Sequence, residues 1–171
     1  MPARNAARKG FTLVEILIVV VILGILAAIV IPQFTSASET AKASSLVSQL
    51  QTLRSQLELY QVQHNGSYPT LAAMNVDTSS DGPDWQPLTE LTDINGTVYT
   101  TAPTDGTITY GPYLQKSIKN PFEDSAVLVA SVAEGSGWVY DEDTGEVTAI
   151  IDADKAAEVG LDAADGDITT Y

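Results

Sequence analysis

The stretch from Phe11 to Ile31, FTLVEILIVVVILGILAAIVI, carries a single charged residue, Glu15, and from Ile16 to Ile31 it is unbroken apolar sequence. As a helix its roughly 21 residues would extend about 32 Å, which matches a hydrocarbon core of about 30 Å. Arg4, Arg8 and Lys9 precede the run, and no acid stands among the first ten residues. That bias holds the N-terminus on the cytoplasmic side and places everything beyond Phe34 outside. Glu15 is the anomaly, because a carboxylate inside such a run costs about 2.5–3.5 kcal/mol on insertion scales.

The remaining chain is of a different character. A length of 171 residues leaves room for one ordinary domain plus an appendage. The net charge is −14, and without the three leading basic residues the remaining five basic and 22 acidic residues give −17. A body this acidic repels phosphates, so no nucleic acid is expected as a partner. It suits a soluble exterior, or acidic loops that collect divalent cations. With no cysteine, a disulfide framework and a thiolate metal site are both excluded.

Two readings of the N-terminus compete. An ordinary secretory signal needs a shorter apolar core and a small-residue cleavage site, for which Ser36–Ser38 is the candidate. The junction favours the other reading: Gly10 ends a short basic leader, Phe11 follows, and Glu15 stands four residues further on. With Pro32 near the membrane exit, the string KGFTLVEILIVVVILGILAAIVIPQF resembles the type IV prepilin signal. The resemblance implies a leader peptide at 1–10, cleavage between Gly10 and Phe11 by a prepilin peptidase, and N-methylation of Phe11. The apolar segment, 11–34, is then kept as the membrane-spanning and filament-core helix. Glu15 would pair with the Phe11 amine of a neighbouring subunit; two unit charges about 4 Å apart attract by about 4 kcal/mol at an effective dielectric of 20.

Beyond the membrane, Leu46, Leu50, Leu53, Leu57 and Tyr60 recur at steps of four and three, one apolar stripe on a helix. Arg54 and Glu58 lie between them as solvent-facing residues. Asn65-Gly66 supplies a stop, so one helix is expected from about Phe11 to about His64, with breaks at Gly24 and Pro32. The segment 35–64 is its amphipathic continuation and 65–171 the globular head. Within the head, SYPTLAAM predicts a short helical turn, Thr97–Thr101 and Thr107–Tyr110 short strands, and Ser125–Ala133 a buried strand. Trp138–Tyr140 and Val147–Ile151 predict a hairpin. Lys155–Val159 predicts a last helical turn, with the tail ending as loop. The expected class is α+β, a long N-terminal helix packed on a small antiparallel sheet.

The motifs HNGSYPT, GPYLQKSIKNPF and GWVYDEDTGEV are similar to the globular domain of major pseudopilins of type II secretion systems. This resemblance implies a structural role: a subunit that polymerises into a homo-oligomeric filament, with minor pseudopilins and an inner-membrane assembly platform as partners. The chain would reside in the inner membrane before assembly, its head in the periplasm. The alternatives are a type IV pilus subunit, for adhesion, motility or DNA uptake, and a membrane-anchored periplasmic binding protein. The resemblance also implies calcium in a late loop, where Asp162, Asp165 and Asp167 are the candidate ligands. Asp141, Asp143 and Gly145 have the opening spacing of a calcium loop but lack its distant bidentate acid, so they read as a hairpin turn. His64 is the single histidine and has no evident catalytic partner, so no enzymatic activity is expected.

Overall fold

The computed structural model describes residues 10–76 and 82–171, with the side chain of Asp165 left aside. Of the expected leader peptide, residues 1–9 lie outside the described residues. One helix, α1, runs Leu13–Gln63. The break expected at Gly24 and Pro32 does not interrupt it. Proline removes one backbone bond, and the helix continues on either side of it. Chain contacts divide between Glu39 and Thr40, so the outer half of α1 belongs to the head unit.

That outer half is built as the sequence pattern requires. Leu46, Leu50 and Leu53 are fully buried, and Leu57 and Tyr60 nearly so. On its polar side, the hydroxyls of Ser44, Ser48 and Thr52 donate to the carbonyls of Thr40, Ser44 and Ser48. Each is thereby satisfied within the helix. Asn65 and Gly66 end it with positive φ, 54° and 82°.

Against the stripe pack Met74, Trp85, Leu88, Leu128, Trp138, Tyr140, Val147, Ala149 and Ile151. Two short helices, α2 (Leu71–Met74) and α3 (Gln86–Thr89), lead into two sheets. The first is antiparallel in the order β2-β1-β3, formed by Leu91–Asp93 (β1), Val98–Tyr99 (β2) and Thr109–Tyr110 (β3). The second runs β4-β5-β6-β7: Leu128–Val129 (β4), Trp138–Tyr140 (β5), Val147–Ile151 (β6) and Ile168–Thr170 (β7). Only its central β5–β6 hairpin is antiparallel; β4 pairs with β5, and β7 with β6, in parallel. The head is therefore not a single antiparallel sheet. Helix α4 (Ala153–Val159) and a 3-10 turn (Ala163–Asp165) supply the crossover that a parallel β6–β7 pair needs. The tail expected as loop is thus the outer strand.

The expected strand Ser125–Ala133 shrinks to the two residues of β4, and side chains hold backbone groups in and beside it. Trp85 Nε1 donates to Ala126 O, and Asn75 bonds both the N–H and the carbonyl of Leu128. Asn120, fully buried, joins the sheets' loops by donating to Gly137 O and Ile150 O and accepting from Phe122 N–H. A Cβ at Gly137 would stand 2.0 Å from Ser125 O, so only glycine fits there.

Two outcomes follow for the full-length chain in detergent. Leu53→Ala should cost about 2–5 kcal/mol in denaturant unfolding, whereas Leu59→Ala, at a position 44% exposed, should cost no more than about 0.5 kcal/mol. Equal costs would contradict the packing. In the turn after β1, the Thr97 N–H holds the Asp93 carboxyl below the usual carboxylate range; burial opposes this and the Asn95 N–H adds to it. A depressed folded pKa contributes stability above the unfolded value of about 4 and loses it as pH falls through the folded value. Asp93→Asn should therefore flatten the acid limb of the stability–pH curve below about pH 4; an unchanged limb would contradict this.

Candidate processing and assembly site

Gly10 is exposed, and a Cβ built on it would meet nothing within 4 Å. Phe11 is 84% exposed. The peptide bond between them is open to an enzyme. Immediately after it, Thr12 and Glu15 form a reciprocal capping box at the start of α1. Glu15 N–H donates to Thr12 Oγ1 at 3.2 Å, while Thr12 N–H and its hydroxyl donate to Glu15 Oε2 at 2.8 and 2.7 Å. Two of the orphan donors that every helix start exposes are satisfied this way. The Thr-x-x-Glu spacing is legible in the sequence, where the partner expected for Glu15 lies on another subunit. Within one chain Glu15 already has a partner, which lowers the cost of placing a carboxylate there. An amine created at Phe11 would be one residue from the Thr12 N–H that Glu15 accepts.

From Leu13 to Ile31 the apolar side chains are exposed around the whole helix. A helix apolar on every side needs a bilayer or other helices around it. By length and composition α1 is able to cross a membrane. Gly24 has open space where a Cβ would stand, so nothing inside the subunit calls for its small size.

Of the expected metal ligands, the side chain of Asp165 lies outside the described residues, and Asp162 and Asp167 each have a partner within the chain. Asp162 Oδ1 caps the 3-10 turn by accepting from Ala164 N–H at 2.9 Å. Asp167 Oδ1 lies 2.6 Å from Arg54, whose other terminal nitrogen donates to Val147 O and Gly166 O at 2.9 Å each. Among the described residues no group of three His, Cys, Asp or Glu side chains is placed to hold a metal ion. Asp141 closes the hairpin turn instead, accepting from Asp143 and Thr144 N–H, and these two bonds hold its carboxyl below the usual range. His64 is buried, stacked on Tyr60 with ring centroids 3.6 Å apart, and it bonds Tyr60 O and Thr92 Oγ1. Its ring ties the end of α1 to β1. Arg54 is the residue that sequence reasoning misplaced, since a cation at the flank of a leucine stripe looks like any other solvated one.

A profile of the family described as the prokaryotic N-terminal methylation motif matches residues 5–31. The type II secretion system core protein G of Dickeya chrysanthemi is 44% identical over 63 residues, which are 37% of this chain and 40% of that protein. The protein of the same name from Escherichia coli K12 is 35% identical over 81 residues, 47% and 54% of the two chains. The chain thus spans about half or less of the length of these curated relatives. A fimbrial protein of Pseudomonas aeruginosa is 32% identical over 133 residues, 75% of this chain and 82% of that protein. No solved structure matches the chain. With an open Gly10–Phe11 bond, a capped Glu15, an apolar helix exposed on all sides and a relative aligned through most of the head, the chain belongs to the type IV pilin and pseudopilin family.

Proposed function

We propose that this chain is the structural subunit of a type II secretion pseudopilus, stored in the inner membrane and polymerised into a helical filament that assists protein export across the outer membrane. The observation that carries this reading is the junction of Gly10, Phe11, Thr12 and Glu15 at the head of an apolar helix with no cover of its own. A plain membrane anchor needs neither an open glycine nor a carboxylate at that depth. Identity to the core protein G relatives, concentrated in a stretch of 63–81 residues, favours secretion. The fimbrial relative favours the second reading, a type IV pilus subunit, because its alignment extends over most of the chain.

In this account a prepilin peptidase cuts after Gly10 and the Phe11 amine is methylated. The N-terminus faces the cytoplasm and the head the periplasm. An inner-membrane assembly platform and minor pseudopilins then draw the subunit from the membrane into the filament. There the exposed side chains of α1 exchange lipid for the helices of other copies. Glu15 exchanges its partner in the capping box for the Phe11 amine of a neighbour, so each charge offsets the desolvation of the other. We assign no catalytic role to any residue.

Intact-mass analysis of the cellular protein should show a chain that starts at Phe11 and carries one added methyl group. A start after Ala37 or Ser38 would identify a discarded signal peptide and end the filament reading. Glu15→Val should insert and be processed yet accumulate as a membrane monomer. Thr12→Val removes the box but keeps the carboxylate, so it should still assemble. Assembly of Glu15→Val at wild-type yield would overturn the pairing.

A further inference from the structure

Three oxygens accept from the guanidinium of Arg54. They are Asp167 Oδ1, Gly166 O and Val147 O, at 2.6, 2.9 and 2.9 Å from the terminal nitrogens of Arg54. One carboxylate and two backbone carbonyls are a donor set suited to a hard cation. Here a cation is already present and covalently part of the chain. The planar guanidinium fork can serve a carboxylate with one nitrogen and carbonyls with the other. A divalent ion placed among the same oxygens would stand against that fixed positive charge.

We infer that Arg54 is the resident cation at the oxygens of Asp167, Gly166 and Val147, so that closure of the C-terminal segment through these groups is independent of calcium. The contacts show what the closure holds. Arg54 lies on α1 between Leu53 and Leu57 of the buried stripe. Val147 opens β6, Gly166 ends the 3-10 turn in a left-handed conformation with φ of 72°, and Asp167 directly precedes β7. One side chain thus ties α1 to the start of β6 and to the turn that leads into β7. Strand β7 has three residues and pairs with β6 alone. Without it β6 would become an open edge, a ready template for pairing with another chain. The charged pair itself is about one-third exposed on both sides, and solvent screening leaves such pairs little stability. The fork to two carbonyls therefore matters more than the charge, and lysine is a poor substitute. The inference concerns the head alone and stands whether the filament serves secretion or adhesion.

The test uses the full-length chain in detergent micelles, followed by thermal melting and by hydrogen exchange of residues 166–170, in millimolar calcium chloride and in EDTA. The wild type should melt within about 1 °C in the two buffers, far below the several degrees that a single kcal/mol shifts a domain of this size. Arg54→Gln should lower Tm by about 3–8 °C and speed exchange at Ile168–Thr170 in both buffers. Arg54→Lys should recover only part of the loss, and Asp167→Asn, which spares the carbonyl bonds, should lose less than Arg54→Gln. If Arg54→Gln does not fold, Asp167→Asn and the wild-type comparison still decide. A wild-type Tm raised by calcium, with protection of the same amides, would overturn the inference. So would an Arg54→Gln chain whose β7 amides exchange as slowly as before.

Discussion

Burial of the leucine stripe on the outer half of α1 is the interaction on which the head depends. The head's own strands are two to five residues long, and sheets this short do not hold themselves together in water. Leu46, Leu50, Leu53, Leu57 and Tyr60 give them a rigid apolar ridge, and Trp85, Trp138 and Tyr140 fill the space above it. The large aromatics keep their polar atoms satisfied by reaching loop carbonyls at Ala126, Ile118 and Pro69. The core is therefore also the cross-linker of the loops. The same continuous helix carries the apolar N-terminal run, so the element that organises the head is also the one that must find lipid or other copies.

Glu15 shows how a costly residue is made tolerable. Its carboxylate serves the helix start that it occupies, accepting two hydrogen bonds from Thr12. A subunit awaiting assembly need not hold a bare charge. The partner proposed in the filament, the Phe11 amine, offers the carboxylate a full opposite charge in place of neutral donors, and charge-assisted bonds are the stronger. A carboxylate with a modest partner alone and a better one in company biases the chain towards company.

Much of this was legible in the sequence because the signals were long or repeated. The leucine stripe, the Asn65-Gly66 stop and the hairpin Trp138–Tyr140/Val147–Ile151 lie where periodicity and turn residues placed them. What escaped were contacts without a local signature. Strand β7 is three residues made into a strand by a parallel partner some twenty residues earlier, and β1 is defined by two partners on opposite sides. Arg54 finds its oxygens 93 to 113 residues downstream, so no window of sequence shows them together. Thr12 was missed for the opposite reason: its partner is close, but a capping box is easily overlooked inside a transmembrane pattern.

The central claim is that the apolar half of α1 is covered by other copies of itself, with Glu15 of one subunit against the Phe11 amine of the next. Filaments assembled from an equal mixture of two chains, one 15N-labelled at phenylalanine and the other 13C-labelled at glutamate side chains, test it by dipolar recoupling in the solid state. The account predicts a contact between the Phe11 amine nitrogen and the Glu15 carboxylate carbon at about 4 Å, visible in the mixed filament and therefore between chains. A contact seen only when both labels sit in the same chain would leave Glu15 as a cap of its own helix and contradict the account.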